Sequence, residues 1–200
     1  MTLDESALGA SRTDERIVAV ATKLFYEKGY HSTTLREIAA GVNIKAGSVY
    51  NHFSSKQELL MHIVWTTTKD MLDGAVERLE GVEGSEERLR VFLTWHVEFH
   101  ASRRLAAQVA DVQLNALEKE NLAKVLVLRD EHQAIMRELI DAGQKELNWS
   151  VEDPAVLTIA ILTMCTQVDT WYRENGRLTP SQIGEILVNF TLNSLQADAS

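Results

Sequence analysis

Two hundred residues contain one cysteine, two prolines and ten glycines, and no unbroken apolar run long enough to cross a membrane. Each shortage excludes a class of protein. A single thiol, Cys165, allows no internal disulfide and suits a reducing compartment. So little Pro and Gly leaves no room for loop-rich or disordered architecture. A membrane span needs about 18 or more apolar residues in a row, and none is present. The opening MTLDESALGASRTDER is acidic and polar, without the apolar centre of a signal peptide. A soluble, cytoplasmic protein is expected. Catalytic signatures are missing as well: no Gly-rich phosphate loop, no nucleophile elbow, no paired catalytic carboxylates. HVEFH sets His96 and His100 at i, i+4 on one helix face, as a metal site needs. Yet Glu98 does not follow the first histidine directly, as a zinc-protease signature requires, and no third ligand is evident. Neither a metal, a cofactor nor an enzymatic activity is expected.

What is present is an ordinary globular composition, 45% apolar and 24% charged, with a net charge of −9. That total argues against nucleic acid, but its distribution does not. Residues 12–56 hold seven Lys/Arg against four acids, a local +3, while 57–200 hold thirteen against twenty-three, a local −10. A basic head on an acidic body is compatible with phosphate binding through the head alone.

The hydrophobic pattern is helical throughout, with no alternating strand and no internal repeat. Thr34-Leu35-Arg36-Glu37 and Ser55-Lys56-Gln57-Glu58 read as capping boxes. Thr179-Pro180 and Asp153-Pro154 place Pro at a first helical position. An all-α fold of about nine helices is expected, near 13–28, 35–41, 46–52, 55–80, 86–101, 103–115, 119–147, 154–173 and 180–196. The domain reading is a disordered arm over 1–11, a small head over 12–54 and a helical body over 55–200.

Within the head, AGVNIKAGSVYNHF raises a question: why a short helix with so few core positions? Leu35, Ile38 and Ala39 give the preceding helix an apolar face. Asn43 tolerates the left-handed conformation of a tight turn. After it, only Ile44, Val49 and Phe53 serve as anchors, and Ala46, Gly47 and Ser48 are small enough for close backbone approach to a surface. Helix N-termini also favour phosphate. This is a helix-turn-helix, whose second helix is polar because its working face meets the DNA major groove.

TTLREIAAGVNIKAGSVYNHFSSKQELL, preceded by IVAVATKLFYEKGYHSTT, resembles the DNA-binding signature of the TetR family of bacterial repressors over residues 12–61. In the body, WYRENGRLTPSQIGEIL is similar to members that respond to acyl-CoA-like or other bulky hydrophobic ligands. The resemblance implies phosphate contacts from Thr34, Tyr50, His52 and Lys56, whose hydroxyl, phenol, imidazole and ammonium suit that role. Arg36 is the candidate for a bidentate guanine contact. Lys45, Ala46, Ser48 and Asn51 would face base edges or thymine methyls. Two positions depart from the family pattern: Lys45 replaces a usual Ser or Thr cap, and Asn43 a common Gly. The plainer readings remain beside these, with Tyr50 as core, His52 as a cap, Lys56 as a solvated lysine and Arg36 paired with an acid such as Glu15.

The body has more apolar surface than a DNA anchor needs. Ile161, Ile183, Ile186, Leu187, Phe190 and Leu195, on the last two helices, suit a four-helix bundle with a second copy. A homodimer places two recognition helices about 34–36 Å apart, one turn of DNA, or a multiple of it. Met61, Trp65, Trp95, Phe99, Met136, Met164 and Trp171, with His96, His100 and Gln113 as polar contacts, compose a ligand lining. Each taken singly also fits plain core, as does Cys165. The expectation is a homodimeric repressor that binds a DNA operator and is released by a small hydrophobic effector. The alternative is a helical protein-binding module without DNA activity.

Overall fold

The computed structural model describes residues 5–196, with side chains from Arg12 onward. Among the described residues there is no strand. The helices are α1 (Glu5–Lys28), α2 (Leu35–Val42), α3 (Ala46–Val49), α4 (Lys56–Leu79), α5 (Ser85–Ser102), α6 (Arg104–Val112), α7 (Lys119–Leu147), α8 (Pro154–Thr166), α9 (Val168–Trp171) and α10 (Pro180–Gln196), with a 3-10 turn at Leu114–Ala116. None of them is long and apolar enough to cross a membrane. The first helix starts at Glu5, so backbone helix replaces the unstructured arm expected over 5–11; residues 1–4 of that arm lie outside the described residues. The single helix expected over 154–173 is two, broken at Gln167.

The chain divides into two compact units. One comprises residues up to Thr67 with Leu105–Val125, and the other comprises Thr68–Arg104 with the chain from Leu126. The division expected after residue 54 therefore falls inside the first unit. Its core explains why: Leu59, Leu60, Ile63 and Val64 of α4, with Val109, Ala110, Leu117 and Val125, are buried in one cluster with Ile17, Phe25, Ile38, Val49 and Phe53.

Local chemistry sets the ends of the helices. Thr34 accepts from the Glu37 N–H at 3.3 Å and Glu37 accepts from the Thr34 N–H at 2.8 Å, a complete capping box. Lys28 also donates to Glu37; that bond, then the Thr34 N–H, holds the Glu37 carboxyl down at about 2. Asn43 takes φ 62° and closes α2, as its short polar side chain allows. The second box is offset: Ser55 accepts from the Glu58 N–H, but the Glu58 carboxylate reaches back to the Ser54 N–H at 2.7 Å. Thr179 and Gln182 exchange both bonds at the start of α10.

In the second unit, Trp95 is locked against α4. Its indole Nε1–H donates to the Met71 carbonyl at 2.9 Å, and the Arg78 guanidinium lies 3.6 Å from its ring centre. A Cβ on Gly74 would stand 2.3 Å from Trp95 Cζ2, so only glycine admits the ring. Gly74→Ala forces Trp95 off its rotamer, at about 1–3 kcal/mol, against a gain of about 1 kcal/mol in helix propensity. The expected net loss is about 1 kcal/mol, read as a lower urea midpoint at unchanged slope; a raised midpoint would mean that Trp95 moves without cost.

Candidate nucleic-acid interface and helical body

The first unit presents α2 and α3 as a helix-turn-helix. α1 braces them through Ile17, Ala21 and Phe25, buried at helical spacing. Arg16 donates to the Val42 carbonyl at 2.6 Å, satisfying one of the orphaned carbonyls at the end of α2. Val49 and Phe53 anchor α3 from beneath. The helix itself is shorter than expected, since turn replaces helix from Tyr50 to His52.

The expected contact residues fall into two groups. Arg36, Lys45, Tyr50 and Asn51 are exposed, Tyr50 at 58%, and their side chains make no hydrogen bond or ion pair among the described residues. Ala46 and Ser48 are half-buried on the same short helix, and exposed Lys45 begins it without a side-chain cap. The other group is already engaged. Thr34 is held in its capping box. His52, 18% exposed at its side chain, sets Nδ1 against the Asp14 carboxylate of α1. Lys56 differs most from expectation. Its ammonium donates to the Tyr30 and Thr33 carbonyls, both at 2.8 Å, and lies 4.2 Å from the Tyr30 ring centre. Burial draws its pKa down from the usual lysine value, with Glu37 opposing. Backbone carbonyls of the α1–α2 turn thus take up the donors expected to reach phosphate.

Two glutamines add to this unit in a way that no local pattern announced. Gln57 donates to the Ala116 carbonyl at 2.6 Å and accepts from the Glu118 N–H at 3.3 Å. Gln113, expected in the ligand lining, accepts from the Tyr30 N–H at 3.3 Å. Met61 and Trp65 are half-buried against the same core.

In the second unit, Phe99, Met136, His96 and His100 are buried, and Trp95 and Met164 are half-buried. Trp171 lies outside that set. It is 51% exposed and lines a shallow surface pocket of about 220 Å³ with Arg173, Arg177 and Leu178. Cys165 is fully buried, and desolvation pushes its thiol up to about 12. Of the residues expected at a dimer contact, Ile161, Ile183 and Leu195 are spent on the core of this unit. Ile186 and Phe190 of α10 remain 52% and 62% exposed, and Leu187 is half-buried. Val156 and Ile159 of α8, not foreseen, are 62% and 54% exposed. Large aliphatic and aromatic side chains left in water on two helices mark a contact surface.

A helix-turn-helix head with open cationic and polar side chains, joined to an all-helical body with an uncovered apolar face, defines a DNA-binding transcription regulator. Residues 17–63 match the family of bacterial regulatory proteins described as tetR, and residues 82–195 match the tetracyclin repressor-like C-terminal domain. The chain belongs to the TetR family, which decides against the protein-binding module. It is similar to the HTH-type transcriptional repressor KstR2 of Rhodococcus jostii, at 25% identity over 96% of this chain and 94% of that protein. A solved tetR-family regulatory protein from Rhodococcus RHA1 superposes with a TM-score of 0.86 and 28% identity, covering 93% of this chain and 98% of the other. AibR, in complex with isovaleryl coenzyme A and operator DNA, shares the fold with a TM-score of 0.77 at 22% identity, over 89% and 97% of the two chains.

Proposed function

We propose that the chain is a homodimeric, cytoplasmic repressor whose two heads occupy successive major grooves of a pseudo-palindromic operator until a small hydrophobic ligand in the body releases them. One observation carries the DNA side: Arg36, Lys45 and Tyr50 are exposed around α2 and α3 with their side chains unpaired, within a segment of net charge +3. Arg36 supplies the base contact, while Lys45, Tyr50 and Asn51 supply phosphate or base-edge contacts. Thr34 and His52, engaged within the head, hold its shape. Val156, Ile159, Ile186 and Phe190 meet their symmetry mates across a two-fold axis.

The ligand acts through α4, one helix that contributes to both units. Moving a dimer from 99:1 competent to 1:99 takes about 5.5 kcal/mol of differential affinity, which two ligands per dimer can share. Acyl-coenzyme A thioesters, a class that AibR carries in its complex, are the ligands to test first.

The experiment is binding to DNA from the protein's own upstream region at two salt concentrations, with and without an acyl-coenzyme A panel. Salt-sensitive, sequence-specific binding that one compound releases is the expected result. Arg36→Ala should weaken that binding by about 1–2 kcal/mol and relax preference at one base pair per half-site; equal loss on every sequence would make Arg36 a phosphate contact instead.

A further inference from the structure

The second unit encloses three imidazoles. His96 and His100 stand one turn apart on α5, and α7 brings His132 beside them. Ring centres are 4.6 Å apart for His96 and His100 and 5.2 Å apart for His96 and His132. The three are 3%, 4% and 3% exposed, in that order. Phe92 lies 4.8 Å from the His132 ring, and Phe99 meets His100 edge-on at 6.0 Å.

Their polar partners are few. His96 Nε2 is 3.0 Å from the Thr166 hydroxyl. His100 Nδ1 is 3.6 Å from Asp169 Oδ2, too far for a hydrogen bond. His96 Nδ1, His100 Nδ1 and His132 Nε2 have no hydrogen-bond partner. Three ring nitrogens without hydrogen bonds in one buried cluster are a destabilising choice, since an unsatisfied buried polar group costs about 1–3 kcal/mol. Leucine or phenylalanine would serve a purely structural core better.

Charge selects what the nitrogens can receive. Burial, then His100, keeps His96 far below the ordinary histidine range. Burial, His100 and the Arg129 charge bring His132 to about 3. Both rings are therefore neutral at physiological pH, each with one donor and one acceptor nitrogen. The Asp169 carboxylate and the Arg129 guanidinium reach the cluster, and each is already engaged by a partner of its own. A carboxylate or ammonium entering here would lose its hydration without an uncommitted counter-charge.

We propose that His96, His100 and His132 form the polar recognition point of the effector site, and that they take an uncharged oxygen group, a ketone, hydroxyl or thioester carbonyl, on an otherwise apolar ligand. This rests on the ligand-released reading given above. Thr166 is a positioning residue, since it holds the His96 ring.

The test uses undecan-2-one, undecanoate and undecylamine, which differ chiefly in head group, against the full-length protein and its His96→Phe and His132→Phe variants. Melting temperature and operator binding are read for each, and an acyl-coenzyme A panel is run in parallel. The ketone should raise the melting temperature and release the operator at concentrations about tenfold below the two ions. Both variants should lose that response about tenfold, yet without probe His132→Phe should melt no lower than wild type, because an apolar ring replaces one whose buried Nε2 has no hydrogen bond. A response led by undecanoate or undecylamine overturns the proposal, as do variants that still respond to the ketone as wild type does. Zn2+ that stabilises wild type but neither variant assigns the cluster to a metal and overturns it too. A compound that releases wild type and both variants alike keeps ligand release and discards the histidines. Release by no compound at all discards both.

Discussion

Phe190→Asp should leave each chain folded but weaken the dimer about a thousandfold or more. Phe190 is 62% exposed in the single chain, so its replacement removes little intramolecular packing. Across a two-fold contact the same change occurs twice in the same patch. Each aspartate would then lose its hydration against Val156, Ile159 or Ile186, at several kcal/mol per ion, and the two would repel one another. A thousandfold loss corresponds to about 4 kcal/mol, well within that range. Sedimentation velocity reads the dimer directly, and circular dichroism checks the fold. Operator affinity should fall with the dimer, because one head alone makes half the contacts. A variant that stays dimeric at micromolar concentration would move the contact off this face.

Lys56→Met should destabilise the first unit by about 2–3 kcal/mol, since hydrogen bonds from a charged donor contribute about 1.5–3 kcal/mol each before allowing for partial exposure. Methionine keeps the stem and removes the ammonium, so the Tyr30 and Thr33 carbonyls lose their shared donor. The α1–α2 turn then loosens, and with it the capping box at Thr34. Operator affinity should fall, but the slope of log affinity against log salt should stay as in wild type. A lysine that held a phosphate would instead lower the slope by about one per half-site on removal. The slope therefore separates a lysine that shapes the head from one that touches DNA.

The difference over Lys56 shows where sequence reading stops. Thr34 and Glu37 meet three residues apart in their capping box and Asn43 closes its own helix, so those roles were legible from spacing. Lys56 meets carbonyls 26 and 23 residues away, and Gln57 and Gln113 reach across 59 and 83 residues. No periodicity encodes such pairings. The body shows the same limit. VLTIAILTMCTQVDTWY is apolar on every side, so no stripe told which residues face inward. Thr158, Ile161 and Cys165 turned out buried while Val156 and Ile159 are exposed. The break at Gln167 has no Gly or Pro to announce it. His96 and His100 were visible as an i, i+4 pair, whereas His132 joined them only through the packing of α7 against α5.

Cys165 has a practical consequence. A fully buried thiol held near 12 offers almost no thiolate to a maleimide or methanethiosulfonate reagent at neutral pH. One cysteine introduced at an exposed position such as Lys23→Cys, on α1, would then be the only reactive site in each subunit. A symmetric dimer labelled there would carry two probes, one on each head. Pulsed dipolar spectroscopy between them would report the head separation with and without effector, in solution and without DNA.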